Sequence, residues 1–248
     1  MSEFYPNGCI IAVTGNLGVG KTTFCTHLKC RIVQMYDITA DRVVVIAEPA
    51  FDDGRLEEFY SDKERYAASF QRYMEDRRYK IMKEAHVKKS AGYIVIVDQS
   101  LLFDIVFARA NKVYFTDEQW AAYKTTYTRH LAEFDAVDAV VYIRALPGVC
   151  KRRVTDRDRH EERDRPITDD GVDSAEESIP LSYLSTLHGL YDGRFAKIRM
   201  NPRLAIASLC FDWGVFPTQK ELDDKITTIF SQEEGSDFSD VPLLVMTS

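Results

Sequence analysis

A glycine-rich run near residue 15 has the spacing of a phosphate-binding loop. Residues 15–23 read GNLGVGKTT, which fits the pattern G-x-x-x-x-G-K-[ST]. An apolar strand is predicted to end at Thr14 and a helix to begin near Lys21, so backbone N–H groups and the helix dipole converge on phosphate oxygens. This setting favours a nucleotide site over a glycine turn with a surface lysine, with Lys21 on the β- and γ-phosphates and Thr22 on Mg²⁺. The residues predicted to bind ATP are Gly15, Asn16, Leu17, Gly18, Val19, Gly20, Lys21, Thr22 and Thr23.

Two acidic residues stand at the ends of the next two predicted strands. Glu48 precedes Pro49, and Asp98 precedes Gln99. Ligands of open α/β sheets bind beyond the carboxyl ends of the strands, so both acids are expected to face the phosphates. Either could hold Mg²⁺ or act as a base toward an acceptor hydroxyl, and either could instead be a solvated strand-end acid.

An arginine-rich run is the one basic segment of an acidic chain. Residues 150–166, CKRRVTDRDRHEERDRP, hold seven of the 32 Lys and Arg residues, whereas the formal net charge of the chain is −7. If the run is helical, Arg153 and Arg157 lie on one face, where like charges disfavour the helix unless an anion binds between them. Arg–acid pairs four residues apart in the same run would equally make an ordinary solvated face.

Alternating apolar and amphipathic segments predict the elements that position these residues. The 248 residues are 45% hydrophobic, enough for a substantial core, and the five scattered cysteines suggest neither disulfides nor a zinc site. Near-continuous apolar runs predict buried parallel strands at 9–14, 42–48, 93–98, 139–145 and 203–211. Helical stretches between them complete an α/β fold with helices on both faces of the sheet. Thr116 with Gln119, and Thr218 with Glu221, have capping-box spacing at two helix starts.

The order of several short motifs resembles the cellular deoxynucleoside kinase family. They are the loop at 15–23, "EP" at 48–49, "FQRY" at 70–73, "DQS" at 98–100, the arginine run and "IPLSYLSTLH" at 179–188. The resemblance spans about residues 9 to 230. It implies a P-loop NTPase-type fold with a five-stranded parallel sheet and an arginine-rich lid. It also implies a homodimer that moves the γ-phosphate of ATP, with Mg²⁺, onto the 5′-hydroxyl of a deoxynucleoside.

The resemblance also assigns roles to single residues. Glu48 matches the catalytic base, and Asp98 stands where the family has an acid near Mg²⁺. Tyr60 matches a contact to the sugar 3′-hydroxyl, Phe70 a base-stacking aromatic, and Gln71 the amide that reads the base. Arg78 and Asp104 match the pair that accompanies this Gln in deoxycytidine and deoxyguanosine kinases, which favours deoxycytidine or purine deoxynucleosides. The residues expected in catalysis are Lys21, Glu48, Asp98, Arg153, Arg157 and Arg159.

The lid and its neighbourhood carry two open questions. Glu162 matches a sugar-contacting acid, but residues 163–178 look like an insertion, and Glu177 before "SIPL" is an alternative. Gln99 stands where the family has an arginine that pairs with the base carboxylate. We expect either that another cation, Arg109, compensates or that the enzyme is slow.

The acidic net charge, the scattered cysteines and the family resemblance together predict a cytoplasmic enzyme with no nucleic-acid or membrane partner. We expect a kinase domain over 1–234, with its lid at about 148–178, and a flexible tail over 235–248. Alternatives are a thymidine-type or broad-specificity deoxynucleoside kinase, a nucleoside monophosphate kinase, or a kinase-like binding subunit with impaired catalysis. Gln99 is the main support for the last of these.

Overall fold

The computed structural model of the chain describes residues 8–48, 53–163, 179–201, 207–214 and 218–230. The side chains at 158–163, 207, 219, 225 and 228–230 fall outside that description. The predicted roles of Arg159, Glu162 and Glu177, and the predicted tail over 235–248, therefore concern side chains or segments outside the described residues.

A five-stranded parallel sheet forms the centre of the molecule, as the apolar runs predict. Its strands are β1 (Cys9–Gly15), β2 (Val43–Ile46), β3 (Ile94–Asp98), β4 (Ala139–Arg144) and β5 (Ala207–Asp212). They lie in the order β2-β3-β1-β4-β5, and every neighbouring pair is parallel. The strand predicted over 42–48 ends earlier, at Ile46, so Glu48 lies two residues beyond it.

Eight α-helices are described, and they cover both faces of the sheet. They are α1 (Lys21–Tyr36), α2 (Arg55–Ser61), α3 (Lys63–Ser90), α4 (Asp104–Ala110), α5 (Asp117–Ala132), α6 (Pro147–Arg163), α7 (Leu181–Arg199) and α8 (Gln219–Phe230). Alternate strand residues face opposite sides: Ile11 and Val13 pack with residues of α1, α6 and α8. Ile10 and Ala12 pack with residues of α3, α4, α5 and α7. This alternation follows from the two-residue period of a strand, and it confirms helices on both faces.

The predicted capping boxes fix two helix starts. Thr116 Oγ1 accepts a bond from the Gln119 amide, and the Gln119 side chain accepts one from the Thr116 amide. Thr218 and Glu221 make the same reciprocal bonds before α8. Within the described ranges, no helix is both long and apolar enough to cross a membrane.

Candidate active site

A pocket of about 290 Å³ opens at the carboxyl edge of the sheet. Its size approaches the lower end of the range typical for small-molecule sites. The side chains around it come from the loop after β1, from the ends of β2 and β3, and from helices α1 to α4, α6 and α7. Predicted site residues in its wall are Leu17, Gly18, Lys21, Thr22, Glu48, Tyr60, Phe70, Gln71, Arg78, Asp98 and Arg157.

The glycine-rich loop takes the backbone conformation that its sequence predicts. Gly18 and Gly20 have φ of 67° and 98°, a region that residues with a side chain rarely adopt. A Cβ on Gly18 would stand 2.6 Å from the carbonyl oxygen of Cys150, so the loop packs directly on the first turn of α6. The Lys21 ammonium donates to the carbonyl oxygens of Gly15, at 3.2 Å, and Asn16, at 3.1 Å. We call this loop, with Asp98, the phosphate end of the pocket.

Asn16 ties the phosphate end to α7. Its buried side chain donates to the carbonyl oxygen of Leu184 in α7 at 2.9 Å and accepts a bond from the amide of Leu17 at 2.9 Å. The loop is therefore held by contacts to both α6 and α7. Thr23, by contrast, lies exposed in the first turn of α1.

Thr22 and Asp98 meet in a position suited to a magnesium ion. Thr22 Oγ1 donates to Asp98 Oδ2 at 2.7 Å, although the two residues lie in α1 and β3. Asp98 is 3% exposed, and its other oxygen, Oδ1, is buried without a hydrogen-bond partner among the described residues. Burial raises the pKa of Asp98, and the Lys21 ammonium and the Thr22 hydroxyl oppose that shift. A hydroxyl and a carboxylate with a spare oxygen are ligands that Mg²⁺ accepts.

Glu48 lies between the phosphate end and a second cluster of polar side chains. Its Oε1 accepts a bond from Nη2 of Arg78 at 2.6 Å. Glu48 is half-buried and faces the pocket, whereas the Arg78 side chain is 4% exposed. The sequence does not predict this ion pair, which joins residues 30 positions apart.

A buried hydrogen-bond network fills the far wall, and we call it the base end of the pocket. Its members are Gln71, Arg78, Asp104 and Tyr123. Asp104 is fully buried and accepts from three of them: from Gln71 Nε2 at 2.8 Å, from Tyr123 Oη at 2.7 Å, and from Nη1 of Arg78. Burial works against the charged guanidinium, but the negative charges of Glu48 and Asp104 outweigh it and raise the pKa of Arg78.

The geometry separates Asp104 from its two predicted companions. Gln71 and Arg78 line the pocket, while Asp104 lies behind them and anchors both. Tyr123, which the sequence reading missed, completes this anchor; burial, followed by the charge of Asp104, raises its pKa well above the ordinary value.

Aromatic rings form the side of the pocket between its two ends. Phe70 stacks on Phe59, with ring centroids 4.8 Å apart and an interplanar angle of 15°, and Tyr60 packs against Phe59 at 5.1 Å. Phe59 is buried, lines the pocket as well, and packs against both predicted contact residues. The arrangement suits a flat ring and a sugar.

Several further wall residues escaped the sequence reading. Phe107 lies under Arg78, whose guanidinium carbon is 5.1 Å from the ring centroid. Asn111 Nδ2 donates to the hydroxyl of Tyr183 at 3.0 Å, and burial raises the pKa of that hydroxyl to about 12. Phe107 and Asn111 stand one and two helical turns after Asp104, a periodicity that could have placed them on the same face.

The two lid arginines whose side chains are described, Arg153 and Arg157, have different positions along α6. Arg153 bonds to backbone instead of lining the pocket: Nη1 donates to the carbonyl oxygen of Val19 at 2.8 Å and Nη2 to that of Trp213 at 2.9 Å. Trp213 is itself buried and packs edge-on against Phe24. Arg157 is exposed and lines the pocket.

The side chain of Gln99 bonds to α7 and makes no hydrogen bond to Glu48 or Asp98 among the described residues. That side chain is buried, and Nε2 donates to the hydroxyl of Tyr191 at 2.9 Å. The backbone of Gln99 has φ of 65°, a conformation that costs energy in a residue with a side chain. Among the described residues, the cation paired with Glu48 is Arg78 and not the expected Arg109.

Comparison with known proteins identifies the chain. The family model described as deoxynucleoside kinase matches residues 11–221. The chain belongs to the deoxynucleoside kinase family. It is a kinase, as the resemblance of its motifs implies, and it phosphorylates deoxynucleosides.

Individual relatives of this kinase are distant. A probable deoxycytidine kinase of fowlpox virus is 25% identical over 191 residues, which cover 73% of this chain and 69% of the relative. A deoxyguanosine kinase of Bacillus subtilis is 24% identical over 219 residues, 87% of this chain and 93% of the relative. A solved structure of deoxyadenosine kinase from M. mycoides with bound dCTP superimposes with a TM-score of 0.62 at 21% identity, covering 88% of this chain and 96% of the other. The fold of this kinase is thus shared along nearly the whole of that enzyme.

Proposed function

We propose that this kinase transfers the γ-phosphoryl group of Mg·ATP to the 5′-hydroxyl of deoxycytidine or a purine deoxynucleoside, in nucleotide salvage. The observation that carries the proposal is the continuity of one pocket, in which Lys21 and Thr22 share a wall with Glu48, Gln71 and Arg78. Phosphoryl transfer depends mainly on positioning and on neutralising charge. A pocket with a phosphate end and a base end supplies both.

At the phosphate end, the loop amides and Lys21 would hold the phosphates. Thr22 and Asp98 would hold Mg²⁺, which neutralises charge on the phosphate oxygens when it is bound. The spare buried oxygen of Asp98 supports this assignment. Arg157 reaches the pocket from the lid and would add positive charge, and Arg159 stays a predicted partner in that role.

Between the ends, Glu48 would orient the 5′-hydroxyl and accept its proton. Its carboxylate faces the pocket and lies on the path from the aromatic wall to the phosphate loop. A general base must come within hydrogen-bond reach of the hydroxyl, and a half-buried carboxylate that faces the pocket just beyond a strand end can do so. Tyr60 and Phe70 would contact the sugar and the base, and the sugar contact of Glu162 or Glu177 stays a prediction.

At the base end, the hydrogen-bonding pattern favours an amino-substituted base. Asp104 accepts a hydrogen bond from Nε2 of Gln71. The side-chain oxygen of Gln71 therefore remains as an acceptor for the base. Nε of Arg78 is buried without a partner among the described residues and is left as a donor. An acceptor beside a donor matches the amino group and ring nitrogen of cytosine or adenine, and mismatches the keto edge of thymine or guanine. We therefore propose deoxycytidine and deoxyadenosine ahead of deoxyguanosine and thymidine.

The assembly and setting of the kinase are proposals by family resemblance. We propose a cytoplasmic homodimer with one kinase domain over 1–234, a lid at about 148–178 and a tail over 235–248. The net charge of −7 supports the absence of a nucleic-acid partner, because a negative surface repels polyanions.

The test is ADP release from Mg·ATP with each of the four deoxynucleosides in turn, with identification of the 5′-monophosphate. We expect deoxycytidine and deoxyadenosine to exceed thymidine in kcat/KM by at least ~10²-fold, because buried polar groups reject a base that cannot pair with them. Normal ATP binding without nucleoside-stimulated turnover would contradict the proposal. Turnover with deoxycytidine monophosphate alone would favour a nucleoside monophosphate kinase.

A further inference from the structure

The guanidinium of Arg78 pairs with two carboxylates, Glu48 and Asp104, that lie in different parts of the site. Nη2 bonds to Glu48, which faces the phosphate end, and Nη1 bonds to Asp104, which lies behind the base end. The Arg78 side chain is only 4% exposed and its Asp104 partner is fully buried, whereas the Glu48 side chain is 25% exposed. The planar guanidinium of Arg78 thus connects the base end of the pocket to Glu48, the proposed general base.

Asp104 holds this guanidinium in a single place. Three donors converge on its carboxylate, from α3 through Gln71 and Arg78 and from α5 through Tyr123. Phe107 packs beneath the guanidinium plane. A side chain held by packing and by a second layer of hydrogen bonds can position a neighbour precisely, so the orientation of Arg78 determines where Glu48 is held.

The alternative partners of Glu48 are engaged elsewhere. Gln99, which follows β3, is neutral, and its Nε2 is committed to Tyr191. The Lys21 ammonium bonds to two carbonyl oxygens of the phosphate loop. Among the residues that the structure describes, Arg78 is the cation paired with Glu48.

We propose that Arg78 is a positioning residue for Glu48, and that it couples occupancy of the base end to the placement of the catalytic carboxylate. A base that accepts a bond from Nε of Arg78 completes the contacts of the guanidinium and fixes Glu48 under the 5′-hydroxyl. This inference rests on the role of Glu48 in the proposed function. It predicts that Arg78 affects the rate of transfer as well as the choice of base.

Steady-state kinetics of the full chain with Arg78→Met and Arg78→Lys test the proposal. We expect Arg78→Met to lower kcat at saturating nucleoside by ~10²-fold for deoxycytidine and deoxyadenosine, whose bases accept the bond from Nε, because small misplacements of a catalytic group have effects of this size. Arg78→Lys should recover part of the loss, since an ammonium keeps the charge but loses the two-pronged geometry. Arg77→Met is the matched control, because it removes the adjacent arginine of α3 outside the pocket wall, and it should leave kcat unchanged.

A second variant distinguishes a loss of catalysis from a loss of folding. Arg78→Met alone leaves the fully buried Asp104 carboxylate without its cation, whereas Arg78→Met/Asp104→Asn removes both buried charges together. Circular dichroism and thermal melting would test whether the double variant folds. We expect it to show the same loss of kcat as Arg78→Met. The Arg78→Met/Glu48→Gln double variant should have about the same kcat as Glu48→Gln alone. The effects of residues that act as a unit are non-additive.

The outcomes separate this inference from the proposed function. If Arg78→Met and the double variant raise KM for some bases but keep kcat, Arg78 reads the base only and the inference is overturned, while the proposed function stands. If Glu48→Gln itself keeps full kcat, the role of Glu48 is wrong and the inference is overturned with it. A loss of kcat with deoxycytidine and deoxyadenosine, together with non-additivity of the Arg78 and Glu48 substitutions, supports both.

Discussion

The two ends of the pocket are built in different ways. Apart from Asp98, the phosphate end is a run of neighbouring residues whose backbone amides and one lysine are set by a tight glycine turn between β1 and α1. The base end consists of buried side chains from α3, α4 and α5 that neutralise and orient one another. Local geometry determines the first, and tertiary packing determines the second.

This difference has a consequence for how each end responds to change. The contiguous loop loses its function when its own residues are substituted. The effect of such a substitution should be confined to phosphate binding. A buried charge network spreads an alteration to every partner, because an unpaired charge inside a protein is costly. Substitutions at the two ends should therefore differ: those at the phosphate end should lower activity alone, whereas those in the base-end network should also lower stability.

The largest effect is expected for Lys21→Met at the phosphate end. Removing the lysine should lower kcat/KM for ATP by ~10³-fold, since a transition-state donor is lost, while deoxycytidine binding measured by calorimetry stays unchanged. Lys29→Met, two helical turns further along α1, is the control and should behave as wild type. A parallel loss of nucleoside binding would show that the two ends are not independent.

Asp104→Ala should mainly destabilise the protein. It leaves Gln71, Tyr123 and Arg78 without their common acceptor, so we expect the free energy of unfolding to fall by about 3 kcal/mol in urea titrations. Asp76→Ala, on the exposed side of α3 where Asp76 pairs with Lys80, should cost less than about 1 kcal/mol. Equal losses for the two variants would contradict the description of the base end as a buried network.

Arg153→Gln tests the junction between the lid and the phosphate loop. Arg153 bonds to backbone carbonyls of Val19 and Trp213, so its loss should loosen the loop and raise KM for ATP about 10-fold, the size expected for a hydrogen bond from a charged donor. The exposed neighbour Arg152 supplies the control variant Arg152→Gln. A fall in kcat without a change in KM would instead place Arg153 on the transferred phosphate.

The smallest effect is the pH dependence that Asp98 gives to stability. Burial raises its pKa above the ordinary 3.8, so the folded state holds this proton more tightly than the unfolded state. The stability that the protonated form contributes is present at low pH and is lost as the pH rises above that ordinary value. Asp98→Asn should remove this loss and raise the free energy of unfolding at neutral pH by about 1 kcal/mol, while it abolishes stabilisation by Mg·ATP. Unfolding free energies of wild type and variant that run parallel from about pH 4 to about pH 8 would contradict this.

The sequence predicts the two ends to different extents for the same physical reason. The loop over 15–23 and its strand and helix are contiguous, so motif and periodicity are sufficient to place them. The ion pair of Glu48 with Arg78 joins residues 30 positions apart, and the bond from Gln99 to Tyr191 joins residues 92 apart. Family resemblance places Arg78 and Asp104 near the base, but only the packing of α3 against α4 and α5 shows that Asp104 stands behind Arg78.

A bisubstrate inhibitor tests the central claim, that the two ends belong to one pocket and meet at Glu48. Deoxycytidine joined through its 5′-oxygen and a chain of phosphates to adenosine should bind once per chain. It should compete with both ATP and deoxycytidine, with an affinity above that of either substrate because its parts are linked. Competition with only one of the two substrates would contradict the single pocket and the transfer reaction proposed for it.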